Sequence, residues 1–128
     1  MTPEFLSLAE AMEIHRDQIE RYGGKTGIRD IGLLQSALAM PSAGFGERYL
    51  HTDLFEMAAA YLFHIVQNHP FVDGNKRTGA VVALVFMALN GIEFKAGEEV
   101  FEETIRAVAQ GKMNKSTIAG FFRDHAAD

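Results

Sequence analysis

The feature that most constrains this chain is a pair of helix-length stretches that are apolar on nearly every side. One runs from Leu54 to Val66 and the other from Lys76 to Leu89. A helix with a single apolar stripe can lie on a surface, but one that is apolar all round has to be surrounded by protein. Neither stretch reaches the ~18 residues a membrane span requires. The two therefore form the centre of a globular core, and the rest of the chain has to pack around them.

The remaining periodicity is also helical. Ser7 and Glu10 have the spacing of a capping box. Leu8, Met12, His15, Ile19 and Tyr22 then follow at steps of four and three, the spacing of one helix face, and Gly23-Gly24 ends the pattern. Asp30 caps a second helix with Leu33, Leu34, Ala37 and Leu38 facing inward, and Pro41 disfavours its continuation past Met40. Pro41 to Thr52 reads as the longest irregular loop. Asp53 with Glu56 opens the third helix, Asn75 caps the fourth, and Asn90-Gly91 stops it. Ile92–Lys95 reads as a short extended piece, followed by amphipathic helices over Glu98–Ala109 and Ser116–His125. No pair of alternating strands is visible. The pattern predicts an all-α single domain over residues 1–128, with about six helices around two buried central ones.

Composition narrows the function classes. With no cysteine in 128 residues, a disulfide scaffold and a Cys-ligated zinc or iron–sulfur site are excluded. Lys plus Arg is 12 against 17 for Asp plus Glu, a formal net charge of −5. Direct nucleic-acid binding needs a basic surface and is not expected. The N-terminus has neither a basic leader nor a long apolar run, so a cytoplasmic protein without membrane association is expected.

Between the two apolar helices lies His69-Pro70-Phe71-Val72-Asp73-Gly74-Asn75-Lys76-Arg77. A turn needs Asp73-Gly74-Asn75 and little more. With Asn75 as N-cap, Lys76 and Arg77 fall in the first helical turn, at the positive end of the dipole, with no acid beside them. Each cation there is unfavourable by roughly 0.3–1 kcal/mol. An anion bound at the helix start reverses both terms and uses the free N–H groups, which points to a phosphate site. A solvated charged turn is the plainer alternative.

His69 ends the third helix ahead of Pro70, facing the negative end of that helix, a setting that suits a general base. An ordinary half-exposed histidine is the plainer reading. Asp73 is a hard oxygen ligand of the kind that holds Mg²⁺ against phosphates, or else a turn residue. Phe71 reads as a core plug. Other templates fail: an EF-hand register from Asp73 places Arg77 and Leu84 at ligand positions, and His64 and His69 are five apart, the wrong step for one helix face.

His69 to Arg77 resembles the signature of the Fic/Doc superfamily, His-x-Phe-x-Asp/Glu-Gly-Asn-Gly/Lys-Arg, at every specified position. Arg21-Tyr22-Gly23-Gly24, Arg29-Asp30 with Leu33-Leu34, Ser36-Ala37-Leu38, Thr52-Asp53-Leu54-Phe55-Glu56 and Leu89-Asn90-Gly91 also look like the death-on-curing (Doc) branch. The resemblance implies the compact Fic/Doc helical core. It implies His69 as the base that activates a target hydroxyl and Asp73 as the Mg²⁺ ligand. Gly74, Asn75, Lys76 and Arg77 would cradle the phosphates of ATP.

The sequence departs twice from the AMP-transferring Fic pattern: Lys76 stands at its second Gly, and Ala80 at its second Arg. In Doc-like proteins the lysine accompanies an inverted ATP and transfer of the γ-phosphate. The implied function is a protein kinase toxin of a toxin–antitoxin pair, with an antitoxin protein as partner and elongation factor Tu as target. AMP transfer to a protein hydroxyl, and a non-catalytic antitoxin-binding regulator, are the alternatives. Between the second and third helices related proteins carry a flap, so Phe45, Arg48 and Tyr49 are candidate target-docking residues, or part of a plain connector.

Overall fold

The computed structural model describes residues 2–127. Its helices are α1 Leu8–Tyr22, α2 Ile31–Ala39, α3 Leu54–Asn68, α4 Asn75–Leu89, α5 Glu98–Ala109 and α6 Lys115–Asp124. A small antiparallel hairpin separates α2 from α3: β1 is Gly44–Phe45 and β2 is Arg48–Tyr49. The all-α expectation of about six helices around two central ones holds. The hairpin escaped sequence reading because strands of two residues are too short to alternate. No helix is long and apolar enough to cross a membrane among the described residues.

Local chemistry sets the helix starts. Ser7 and Glu10 form the reciprocal capping box of α1. Asp30 accepts from the Leu33 N–H, Asp53 from the Glu56 N–H and Asn114 from the Thr117 N–H, each supplying one of the acceptors that a helix start lacks.

The core is the α3–α4 pair, wrapped by the other helices. Met57, Tyr61, Leu62 and Ile65 of α3 meet Val82, Ala83, Phe86 and Met87 of α4, all buried. Gly79 lets the two helices approach. A Cβ there would lie 3.2 Å from Val66 Cγ2 and 3.4 Å from both Ile65 Cγ2 and Leu62 Cδ1. Ile118, Ala119 and Phe122 of α6 close the far side of α3. The piece expected over Ile92–Lys95 is indeed extended, and it is tied to the end of the chain through Lys95 N–H to His125 O and Ala127 N–H to Glu93 O. Tyr22, placed on one face of α1 by the spacing, is 68% exposed at the helix end, with the Arg77 guanidinium over its ring.

A polar cluster ties α6 to α3 and to the segment before it. The Lys115 ammonium lies 3.2 Å from His51 Nε2 and 3.1 Å from His64 Nε2. An ammonium only donates, so both rings accept through Nε2 and carry their hydrogen on Nδ1. Burial and the Lys115 charge push His64 down to about 4. The same two causes lower His51, against an opposing pull from Glu56.

These depressed values mean that the unfolded chain binds more protons than the folded one as pH falls through the ordinary histidine range. The cluster's contribution is therefore complete above about pH 6.5 and is lost toward about pH 4. Urea midpoints should fall between about pH 7 and about pH 5, and the fall should shrink in His64→Gln. Equal midpoints for the wild-type protein across that interval would contradict the assignment.

Candidate active site

The reversal from α3 to α4 is where the sequence concentrates its polar residues, and it is clamped on one side by the connector between α1 and α2. The contacts run antiparallel. Lys25 N–H donates to Asp73 Oδ2 at 3.1 Å, and Val72 N–H donates to Gly27 O at 3.1 Å. Ile28 bridges Phe71. The N–H groups of Arg29 and Asp30 both reach Pro70 O, at 2.7 and 3.0 Å. The Arg29 guanidinium then donates to His69 O (2.6 Å) and Asn68 O (2.9 Å). This clamp was not legible in sequence, since its partners lie some 40 to 48 positions apart.

His69 is the C-cap of α3 and the one non-glycine residue with positive φ among the described residues, at φ 51° and ψ 53°. Holding a non-glycine residue there costs on the order of 1–3 kcal/mol unless the surroundings fix it. Its backbone is fixed on both sides, by its N–H to Ile65 O and by its carbonyl to Arg29. Its side chain is exposed. The sequence argument set His69 at the negative end of that helix, and the structure adds the Arg29 cation at the same carbonyls.

Asp73 has both carboxylate oxygens on backbone N–H groups, Oδ2 on Lys25 and Oδ1 on Gly74 at 2.9 Å. The Lys25 and Gly74 amides, with Arg77 and the Lys25 ammonium beyond them, hold its carboxyl below the usual range. Gly24 makes room for it: at φ +118° it adopts a backbone that suits glycine, and a Cβ would sit 2.8 Å from Asp73 Oδ2. His15, buried in α1, donates from Nε2 to Asp73 O at 2.8 Å and stacks on Phe71 with ring centroids 3.9 Å apart. His15 was read from sequence only as a face residue of α1. Phe71 is fully buried, as expected of a plug.

Two expectations for the helix start are corrected. Asn75 is not the N-cap of α4. That position belongs to Gly74, which offers no side chain, and Asn75 is the first helical residue. Its amide instead accepts from Phe71 N–H (2.9 Å) and donates to Phe71 O (3.0 Å), closing the turn from within. Nor is Arg77 left against an opposing dipole. It donates to Gly23 O, 2.9 Å away at the C-terminal end of α1, and lies over the Tyr22 ring at 5.7 Å. Lys76 remains as expected, exposed and in none of the ion pairs among the described residues. The first turn of α4 carries no acid and no side-chain cap, so its leading N–H groups stay open to an anion.

These residues share one cleft of about 480 Å³. His69, Asp73, Gly74, Asn75, Lys76 and Arg77 line it, with Val66, Val72 and Ala109 as an apolar wall. Phe45, Arg48 and Tyr49 do not join them. The hairpin borders a separate depression of about 210 Å³, Phe45 is 93% exposed, and Tyr49 packs on Phe5. Chemically, the cleft offers an imidazole, a carboxylate held ionised, two cations and a helix N-terminus. That set suits a phosphorylated ligand and a proton acceptor beside it. Among the described residues no three His, Cys, Asp or Glu side chains cluster as a metal cage.

Comparison with known proteins agrees with this picture. The family model described as the Fic/DOC family matches residues 5–87, which include the whole reversal. The protein named "Protein kinase doc" of Escherichia phage P1 is 34% identical over 118 residues, 92% of each chain. "Toxin Doc" of Mycolicibacterium smegmatis is 35% identical over 108 residues, 83% of each chain.

Asn75→Ala would leave the buried N–H and C=O of Phe71 without partners. Each orphaned group costs about 1–3 kcal/mol, so chemical denaturation should show a loss at the upper end of single-site effects. A loss below about 0.5 kcal/mol, typical of surface positions, would show that the amide does not close the turn.

Proposed function

The chain belongs to the Fic/DOC family, and from that premise we propose that it is a Doc-like toxin that phosphorylates a protein. The single observation that carries the reading is the convergence of His69, Asp73, Lys76, Arg77 and the open start of α4 on one cleft. Relatives named as a Doc toxin and a Doc protein kinase, each matched over more than four fifths of its length, support the same assignment.

In this reading ATP is the substrate, and its phosphates rest on the N–H groups of α4, with Lys76 as a mobile charge and Arg77 as a planar donor. His69 takes the proton from a hydroxyl of the target protein. The hydroxyl oxygen bonds to the γ-phosphorus as the bond to the β-phosphate oxygen breaks, and ADP leaves. Asp73 fits a Mg²⁺ ion brought by the nucleotide, being a hard carboxylate held anionic by two amides. When bound, the ion would neutralise phosphate charge. A lysine at position 76 fills space that a glycine would leave for a phosphate against the backbone, which favours γ-phosphate transfer over AMP transfer. The target is elongation factor Tu and the setting the cytoplasm, where an antitoxin protein holds the enzyme off.

The deciding measurement is mass spectrometry of elongation factor Tu after incubation with ATP, Mg²⁺ and the protein. A phosphate adduct is expected, and His69→Ala should lower its rate by about 10²–10⁴-fold while thermal unfolding is unchanged. An AMP adduct would instead establish nucleotidyl transfer. Equal rates for wild type and His69→Ala would refute the role of His69.

A further inference from the structure

A general base needs a defined direction as well as a proton site. Where a catalytic histidine is oriented by a partner on its second ring nitrogen, that partner is visible as a hydrogen bond. Here no hydrogen bond to the His69 imidazole exists among the described residues. What the described residues fix is the Cα–Cβ bond from which the ring swings, through the left-handed conformation at φ 51°.

Two bonds define that conformation. The first, His69 N–H to Ile65 O, continues the helical pattern and would form with any residue at the position. The second is specific. Arg29 spans the last two carbonyls of the α3 terminus, with Nε 2.6 Å from His69 O and a terminal nitrogen 2.9 Å from Asn68 O. One planar group thereby sets the relative orientation of two successive peptide units, those on either side of the His69 Cα. The Arg29 and Asp30 N–H groups fix the next carbonyl, Pro70 O. Arg29 joins none of the ion pairs among the described residues, so no carboxylate competes for its guanidinium.

We infer that Arg29 is the positioning residue of the active site, holding the His69 backbone in its left-handed turn and so aiming the imidazole into the cleft. This rests on the reading of His69 as the base. Arg29 itself is not among the residues lining the cleft and acts through the histidine. Lysine cannot replace it fully, because one ammonium does not reproduce a rigid fork across two carbonyls.

The test uses the full chain with Arg29→Lys and Arg29→Ala, read in two ways. The first is independent of activity: the HN–Hα coupling and carbon shifts of His69 in labelled protein. They should report positive φ in the wild type, move away from it in Arg29→Ala, and lie between in Arg29→Lys. The second is the rate of phosphate transfer from ATP to elongation factor Tu. In Arg29→Ala kcat should fall about 10- to 100-fold, the loss a small misplacement produces, with KM for ATP within about twofold, and Arg29→Lys should recover part of it.

A merely structural arginine would instead lower ATP affinity, kcat and the thermal midpoint together. Unchanged His69 couplings in Arg29→Ala, or wild-type kcat in that variant, would overturn the inference. Were the wild type itself to transfer no phosphate, the functional reading would fail, and the couplings would still decide whether Arg29 sets the His69 backbone.

Discussion

The structure depends on how the short reversal between the two central helices satisfies its own backbone. α3 and α4 are buried on most sides, and Pro70 and Phe71 of the segment joining them are buried too, so its amides and carbonyls cannot all turn to water. The α1–α2 connector supplies the partners from outside, from Lys25 to Arg29, and Asn75 supplies them from inside through both ends of its amide. Phe71 anchors the turn in the core and His15 covers it. The site thus inherits its geometry from groups mostly outside the cleft. Asp73 is held by a connector amide, and His69 by a connector side chain. Preorganisation of this kind keeps a reactive constellation in place without ligand.

What the sequence disclosed follows from how local each signal was. The starts of the first three helices were legible because Ser7, Asp30 and Asp53 bond within three residues of themselves, whereas the Asn114 cap of α6 was not read from the sequence. The central pair was legible because an all-round apolar helix has one possible environment. The cluster of site residues was legible because His69 to Arg77 is contiguous. Asn75 misled because an asparagine before a helix is the ordinary sign of a cap. Its true partner is Phe71, four residues back, and its commitment depends on Phe71 being buried. Arg77 was legible as a site residue and Arg29 as part of the family pattern, but what each one bonds to was beyond reach. Their acceptors are carbonyls, which every residue carries, so no residue type marks the partner.

Charge is distributed unevenly, and the net value of −5 conceals it. Among the described residues Asp73 is the one carboxylate lining the cleft, against Lys76, Arg77 and the positive end of α4. The acids collect elsewhere, as in Glu98, Glu99, Glu102 and Glu103 of α5, the first two of which lie in its first turn and complement its positive end. Only the last residue of α5, Ala109, reaches the cleft. At 1.5 Å per residue those acids lie roughly 9 Å (Glu103) to 16 Å (Glu98) away along the helix, beyond a Debye length of about 8 Å. An anionic ligand therefore meets a local positive field in a protein that is acidic overall.

The two cations of that field differ in what they leave available. Lys76 is exposed and in no ion pair among the described residues, a mobile point charge. Arg77 is already engaged, yet only one terminal nitrogen is used, on Gly23 O, while its flat face rests near Tyr22. A guanidinium carries five N–H donors in a fixed fork. Arg77 can therefore keep the end of α1 and still present donors to a phosphate, with no contact broken on binding. The contact with α1 restricts the rotamers of a long side chain before any ligand arrives, which removes part of the ordering cost of binding. The same end of α1 continues through Gly24 and Lys25 to the Asp73 carboxylate. One helix terminus thus touches both a cation and the carboxylate of the cleft. Both charges are thereby tied to backbone groups of one short stretch, the Arg77 guanidinium to Gly23 O and the Asp73 carboxylate to Lys25 N–H.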